Sequence, residues 1–82
     1  MIKSLDKFKK EIPELVRVHR KKSSLSQAAL AELAGVGKTV IFDLEHGKMT
    51  IQLDTLLRIF DALNIEMRLF SPLLQAMKET QE

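Results

Sequence analysis

Ser26-Gln27-Ala28-Ala29-Leu30-Ala31-Glu32-Leu33-Ala34-Gly35-Val36-Gly37-Lys38-Thr39-Val40-Ile41-Phe42-Asp43-Leu44-Glu45-His46-Gly47 is the stretch that decides the fold. Ser26 stands where a hydroxyl can cap a helix over residues 27–34, with Leu30, Ala31 and Ala34 facing inward. Gly35-Val36-Gly37 reads as a tight turn, one apolar residue between two permissive ones. A second helix follows over about 38–46, stopped by Gly47, with Ile41 and Leu44 as its inner stripe. Ala31 is small enough to let the two helices approach, and Val36 and Ile41 fill the wedge between them.

Toward the amino terminus, Ser4 is placed to cap a short helix carrying Leu5, Phe8 and Ile12. Pro13 then suits the first turn of another helix with Leu15, Val16 and Val18, so a kink or break is expected near Pro13. Ser23-Ser24 interrupts the periodicity. Toward the carboxyl terminus, Leu53, Leu56, Leu57, Phe60 and Leu63 predict a further core helix, with Asp54 near its positive end. After Asn64 the period changes to two: Ile65, Met67 and Leu69 alternate with Glu66, Arg68 and Phe70, which predicts a strand ended by Pro72. A lone strand lacks a ladder partner, and the nearest supplier is a second copy of the chain, with residues 65–70 as the dimer interface. The expected fold is therefore an all-α helical bundle plus one short carboxy-terminal β-strand pairing across a dimer. Its expected division is an extension or short helix at 1–12, a folded domain at 13–71 and a flexible tail at 72–82.

The chain has 82 residues and 45% hydrophobic content, enough for one small core. It contains no cysteine, and its two histidines, His19 and His46, lie too far apart in sequence for a metal pair, so no disulfide, metal or cofactor is expected. No apolar run approaches the roughly 20 residues of a membrane span, and a cytoplasmic, nucleoid-associated location is expected. The net charge of +2 hides an asymmetry: residues 1–22 carry eight Lys/Arg against three Asp/Glu. Such a segment suits an anionic partner, or is simply a solvated helix face.

Two short helices joined by a tight glycine-containing turn make a helix-turn-helix, whose second helix can enter the DNA major groove. The bland alternative is a helical hairpin that binds no DNA, against which stand about a dozen positions at fixed spacing. Gly35-Val36-Gly37-Lys38-Thr39 imitates the end of a phosphate-binding loop, but Glu32 occupies a required glycine position and no strand precedes it. Neither histidine has a Ser or Cys at a suggestive spacing, and no enzymatic activity or small-molecule substrate is expected. Leu33, on the outward side of its helix, marks either a partner surface or an ordinary exposed apolar residue.

The stretch resembles the Xre (Cro/repressor-type) helix-turn-helix family from about Arg17 to Ile65, including Leu53-Asp54-Thr55-Leu56-Leu57 and Ala62-Leu63-Asn64-Ile65. The resemblance implies binding to double-stranded DNA, with Ser26 and Gln27 on phosphates and Lys38, Thr39, Phe42 and Asp43 on the base-reading face. It places His46 and Lys48 at the phosphate-contacting end, and implies a structural ion pair between Arg20 and Glu45. Gly37 departs from the family's usual Ser or Thr cap. The ending from Ile59 to Ser71 resembles the HipB-like antitoxins, which implies a homodimeric repressor of its own operon, bound to a palindromic operator and to a HipA-like serine/threonine kinase toxin. The alternatives are a stand-alone Xre-type regulator, such as a phage or restriction-modification controller, and an interaction protein that has lost DNA binding.

Overall fold

The computed structural model describes residues 2–80. Among them, five helices follow one another: α1 (Ile2–Lys22), α2 (Gln27–Ala34), α3 (Lys38–Glu45), α4 (Leu53–Ala62) and α5 (Pro72–Thr80). The core is built from one or more residues of each of the first four: Val16; Leu30, Ala31 and Ala34; Ile41 and Leu44; Leu56, Ile59 and Phe60, with Leu63 just beyond α4. The inner stripes of α2 and α3 are those expected. In α4 the stripe is Leu56, Ile59, Phe60 and Leu63, an i, i+3, i+4, i+7 set, while Leu53 and Leu57 lie outside it and are exposed.

Two expectations at the amino-terminal end are corrected. Helix α1 begins at Ile2, so Ser4 lies inside it and caps nothing, and the helix runs unbroken through the expected boundary at residues 12 and 13. Leu5, Phe8, Ile12, Leu15 and Val16 form one stripe at 3- and 4-residue steps across Pro13; Ile12, Leu15 and Val16 pack on the core, while Leu5 and Phe8 stay about half exposed. Pro13 has no N–H for the Lys9 carbonyl, and Gly47 sits beside that oxygen: a Cβ there would stand 3.7 Å away. That separation is an ordinary contact, and what favours glycine at 47 is its φ of +88.

The first four helices end by the same device. Ser24, Gly35, Gly47 and Asn64 all have positive φ. In each case the next residue donates its N–H five residues back: Leu25 to Arg20 at 3.1 Å, Val36 to Ala31 at 2.9 Å, Lys48 to Asp43 at 3.0 Å and Ile65 to Phe60 at 2.8 Å. This Schellman closure satisfies carbonyls that a helix end leaves orphaned. It also turns Leu25, Val36 and Ile65 back onto the core.

The carboxy-terminal end differs from expectation in both parts. Residues 66–70 have no backbone hydrogen bond among the described residues, so no strand forms within the chain. The alternation is only partly carried by the side chains: Arg68 Nε donates to Glu66 Oε2 at 2.9 Å, two residues apart on one side, and Ile65 packs on the core, but Leu69, of the same parity as Ile65, is 94% exposed. A ladder needs a second strand, and this monomer offers none. Residues 72–80, expected as flexible tail, form α5; the remaining two lie outside the described residues. Pro72 opens this helix at its first position, where a missing N–H costs nothing, and the Ser71 hydroxyl accepts from the Leu74 N–H at 3.2 Å.

Gly35 and Gly37 flank the turn and differ in kind: Gly35 has φ +71, Gly37 has φ −76, and neither would meet an atom within 4 Å on gaining a Cβ. Gly35→Ala therefore destabilises by about 1 kcal/mol or more through backbone strain alone. Gly37→Ser supplies the cap that α3 lacks and stabilises by about 0.5–1 kcal/mol. Urea unfolding of both variants should give shifts of opposite sign.

Candidate nucleic-acid interface

Helices of eight residues, the length of both α2 and α3, do not hold themselves in water, so their relative angle must come from tertiary contacts. The main one is beneath α3. Glu45 is the buried charged residue of the described chain, its side chain 3% exposed. Arg20 of α1 grips it with two hydrogen bonds, Nε to Oε2 at 2.6 Å and Nη2 to Oε1 at 2.9 Å, and also donates through Nη1 to the Leu25 carbonyl at 2.9 Å. Gln27 of α2 donates its amide to Glu45 Oε1 at 3.3 Å, and Arg17 donates to the Glu45 backbone carbonyl at 3.4 Å. The expected ion pair is thus present geometrically, and one carboxylate joins three helices.

Burial alone would push the Glu45 carboxyl up; the hydrogen bonds from Arg20 and Gln27, with the charges of Arg20 and Arg17, outweigh it and hold the group below the usual carboxylate range. The hydrogen bond to Glu45 raises Arg20, against the opposing effect of burial.

On the opposite side of α3, Lys38 and Thr39 are exposed at its amino end, followed one turn later by Phe42, which is 48% exposed. The Phe42 ring stacks on His46 with centroids 4.0 Å apart, and His46 Nδ1 lies 2.7 Å from the Phe42 carbonyl, so that nitrogen carries the proton. Asp43 and Lys48 form a solvent-exposed ion pair at 3.5 Å. An exposed pair adds little stability, but it offsets the Asp43 charge on this face. Ser26 caps α2, its hydroxyl accepting from the Ala29 N–H at 3.0 Å. Gly37 caps α3 through its backbone alone.

Lys38, Thr39, Phe42, Asp43, His46 and Lys48 therefore share the α3 face. Gln27 stands apart from them, since its side chain is turned inward to Glu45. Residues 65–70 lie elsewhere, next to α1 and α4. Sequence reasoning missed Arg17 and the inward tie of Gln27; the signal for Arg17 was its three-residue spacing from Arg20 on α1. His19 Nδ1 lies 2.8 Å from the carbonyl of Leu15 in its own helix, not near a nucleophile. Among the described residues no group of His, Asp and Glu gathers as a metal site, and no helix is long and apolar enough to cross a membrane.

A family model described as helix-turn-helix (HTH_3) matches residues 16–70, most of the chain and all of α2, the turn and α3. The chain belongs to the helix-turn-helix family. Within that family's geometry α3 is the recognition helix, the element that enters the major groove. Over 62 residues, 76% of this chain and 82% of its relative, it is 40% identical to a protein of Sinorhizobium fredii (strain NBRC 101917 / NGR234) named "Uncharacterized HTH-type transcriptional regulator y4mF".

Arg20→Met leaves the Glu45 charge buried without its main partner and should cost roughly 3–5 kcal/mol, whereas Arg20→Met with Glu45→Leu should recover most of that loss. Because Glu45 is lowered in the folded state, its contribution is fully present above the unfolded carboxylate value and is lost as pH falls through the folded one. Unfolding curves across acid pH should therefore show a steeper loss for the native chain than for Glu45→Gln.

Proposed function

We propose that this helix-turn-helix protein is a transcriptional repressor that binds a palindromic operator as a homodimer. The observation that carries the reading is the recognition-helix face: Lys38, Thr39 and Phe42 exposed together, on a helix whose angle is locked from behind by Arg20 and Glu45. Lys38 suits guanine O6 and N7, Thr39 and Phe42 suit a thymine methyl, and Asp43 suits a cytosine amino group. His46 and Lys48 approach the phosphates, while the amino ends of α2 and α3, at Ser26, Gln27 and Gly37, offer backbone N–H groups to them. Gln27 acts through its backbone here, since its side chain serves Glu45. The relative in Sinorhizobium fredii, named as a transcriptional regulator, supports a role in transcription regulation.

The homodimer rests on residues 65–70, a segment in which 66–70 make no backbone hydrogen bond within the chain and whose pairing with its symmetry mate would complete a two-stranded ladder. The antitoxin role, with a HipA-like kinase as partner, extends this reading through the likeness of residues 59–71 to HipB-like proteins. Copurification with the product of an adjoining kinase-like reading frame tests it, and its failure leaves a stand-alone regulator.

Lys38→Ala should relax preference at one base-pair position, at a cost of roughly 1–3 kcal/mol of discrimination. Lys48→Ala should weaken binding to all sequences alike and flatten the salt dependence. Selection from a random duplex pool should yield half-sites about 34–36 Å apart, one helical turn, or a multiple of it. A preference profile unchanged by Lys38→Ala, or a single asymmetric site, contradicts the assignment.

A further inference from the structure

Among the described residues, two uncovered apolar surfaces complement each other. The first is a groove of about 780 Å³ between α1, α4 and the segment after α4, walled by Phe8, Ile12, Leu15, Val18, Phe60 and Met67. The second is α5, none of whose residues is buried. Leu73, Leu74 and Met77 fall on one side of it, at 72%, 51% and 50% exposure. The molecule is extended: its radius of gyration is 15.2 Å, against about 12 Å for a compact chain of this length. We propose that α5 is an exchange arm, which in the dimer docks its apolar face into the groove of the second copy.

Two observations, and the geometry of the proposed dimer, favour a second copy over the chain's own groove. The connection is built straight: Ser71 precedes a proline, which disfavours the helical conformation there, and it also caps α5. A tight reversal at this point is thereby opposed, and no residue of α5 is buried against its own body. Charge is complementary as well. Glu11 and Glu14 stand on the α1 wall of the groove; of the other ionisable groups there, Arg68 is already paired with Glu66, and His19 is hydrogen-bonded to its own helix. Lys78 flanks the apolar face of α5, with Glu79 on the far side. Finally, antiparallel pairing of residues 66–70 about a two-fold axis sends each arm toward the other subunit, so one rotation places two identical arm-and-groove contacts. The inference rests on the homodimer reading. It adds that α5, which lies beyond the residues matched by the family model, supplies much of the interface.

The absence of cysteine allows a direct test with two single-cysteine chains, Val18→Cys in the groove and Met77→Cys in the arm, refolded together and treated with a short thiol cross-linker. A covalent product joining one chain of each kind is expected, and Leu73→Asp, acting twice per dimer, should raise the dimer dissociation constant roughly a hundredfold or more. A cross-link within one doubly substituted chain would show closure on its own groove and overturn the exchange. An intact dimer in sedimentation, with no cross-link and no effect of Leu73→Asp, would overturn it too, leaving the groove to another partner and the homodimer reading untouched. A native chain that sediments only as a monomer would overturn both.

Discussion

The carboxylate of Glu45 is the point on which the arrangement of α1, α2 and α3 depends. A buried charge is expensive to desolvate, and here the expense is offset only if Arg20 and Gln27 arrive in the right places. That requirement converts an electrostatic demand into a geometric one. With Glu45 at the last turn of α3, satisfying it fixes the angle at which α3 leaves the body, and hence where Lys38 and Phe42 point. An apolar pair at the same place could be more stable, but it would specify the angle less sharply, because apolar contacts have no direction.

The helix ends serve the same purpose by other means. Each of the first four closes through a left-handed residue and a bond five residues back, which makes the turns short and sets their direction. After α1, α2 and α4 the residue that follows is apolar and joins the core. After α3 it is Lys48, which instead reaches Asp43 on the outer face. One backbone device thus builds the core in three places and finishes a polar, exposed surface in the fourth.

Much of this was legible in the sequence, for physical reasons. The 26–47 stretch carries its own punctuation, a Ser cap, a Gly in the one left-handed position of the turn and apolar residues at helical steps, so α2, the turn and α3 fall where they were expected. Arg20 and Glu45 were expected as a pair only through the family resemblance; nothing in their 25-residue separation announces contact. Two prolines misled in opposite directions. Pro13 reads as a breaker, but its helix carries one apolar stripe across it; Pro72 reads as a terminator, but following a Ser it starts a helix. The alternation at 65–70 does not order the side chains of this chain, where Leu69 is 94% exposed, because a period of two says only which side each residue would face once a strand exists. Whether that becomes a strand depends on a ladder partner that the sequence of one chain cannot display.

The central claim is that α3, held from behind by Glu45, is the surface that meets DNA. Amide chemical-shift mapping during titration with a selected duplex tests it most directly. The account predicts the largest changes at residues 37–39, 42 and 46–48 and at the amino end of α2, with Arg20 and Glu45 little affected. Changes concentrated instead along the α1 and α4 groove, with the face of α3 unmoved, would contradict it.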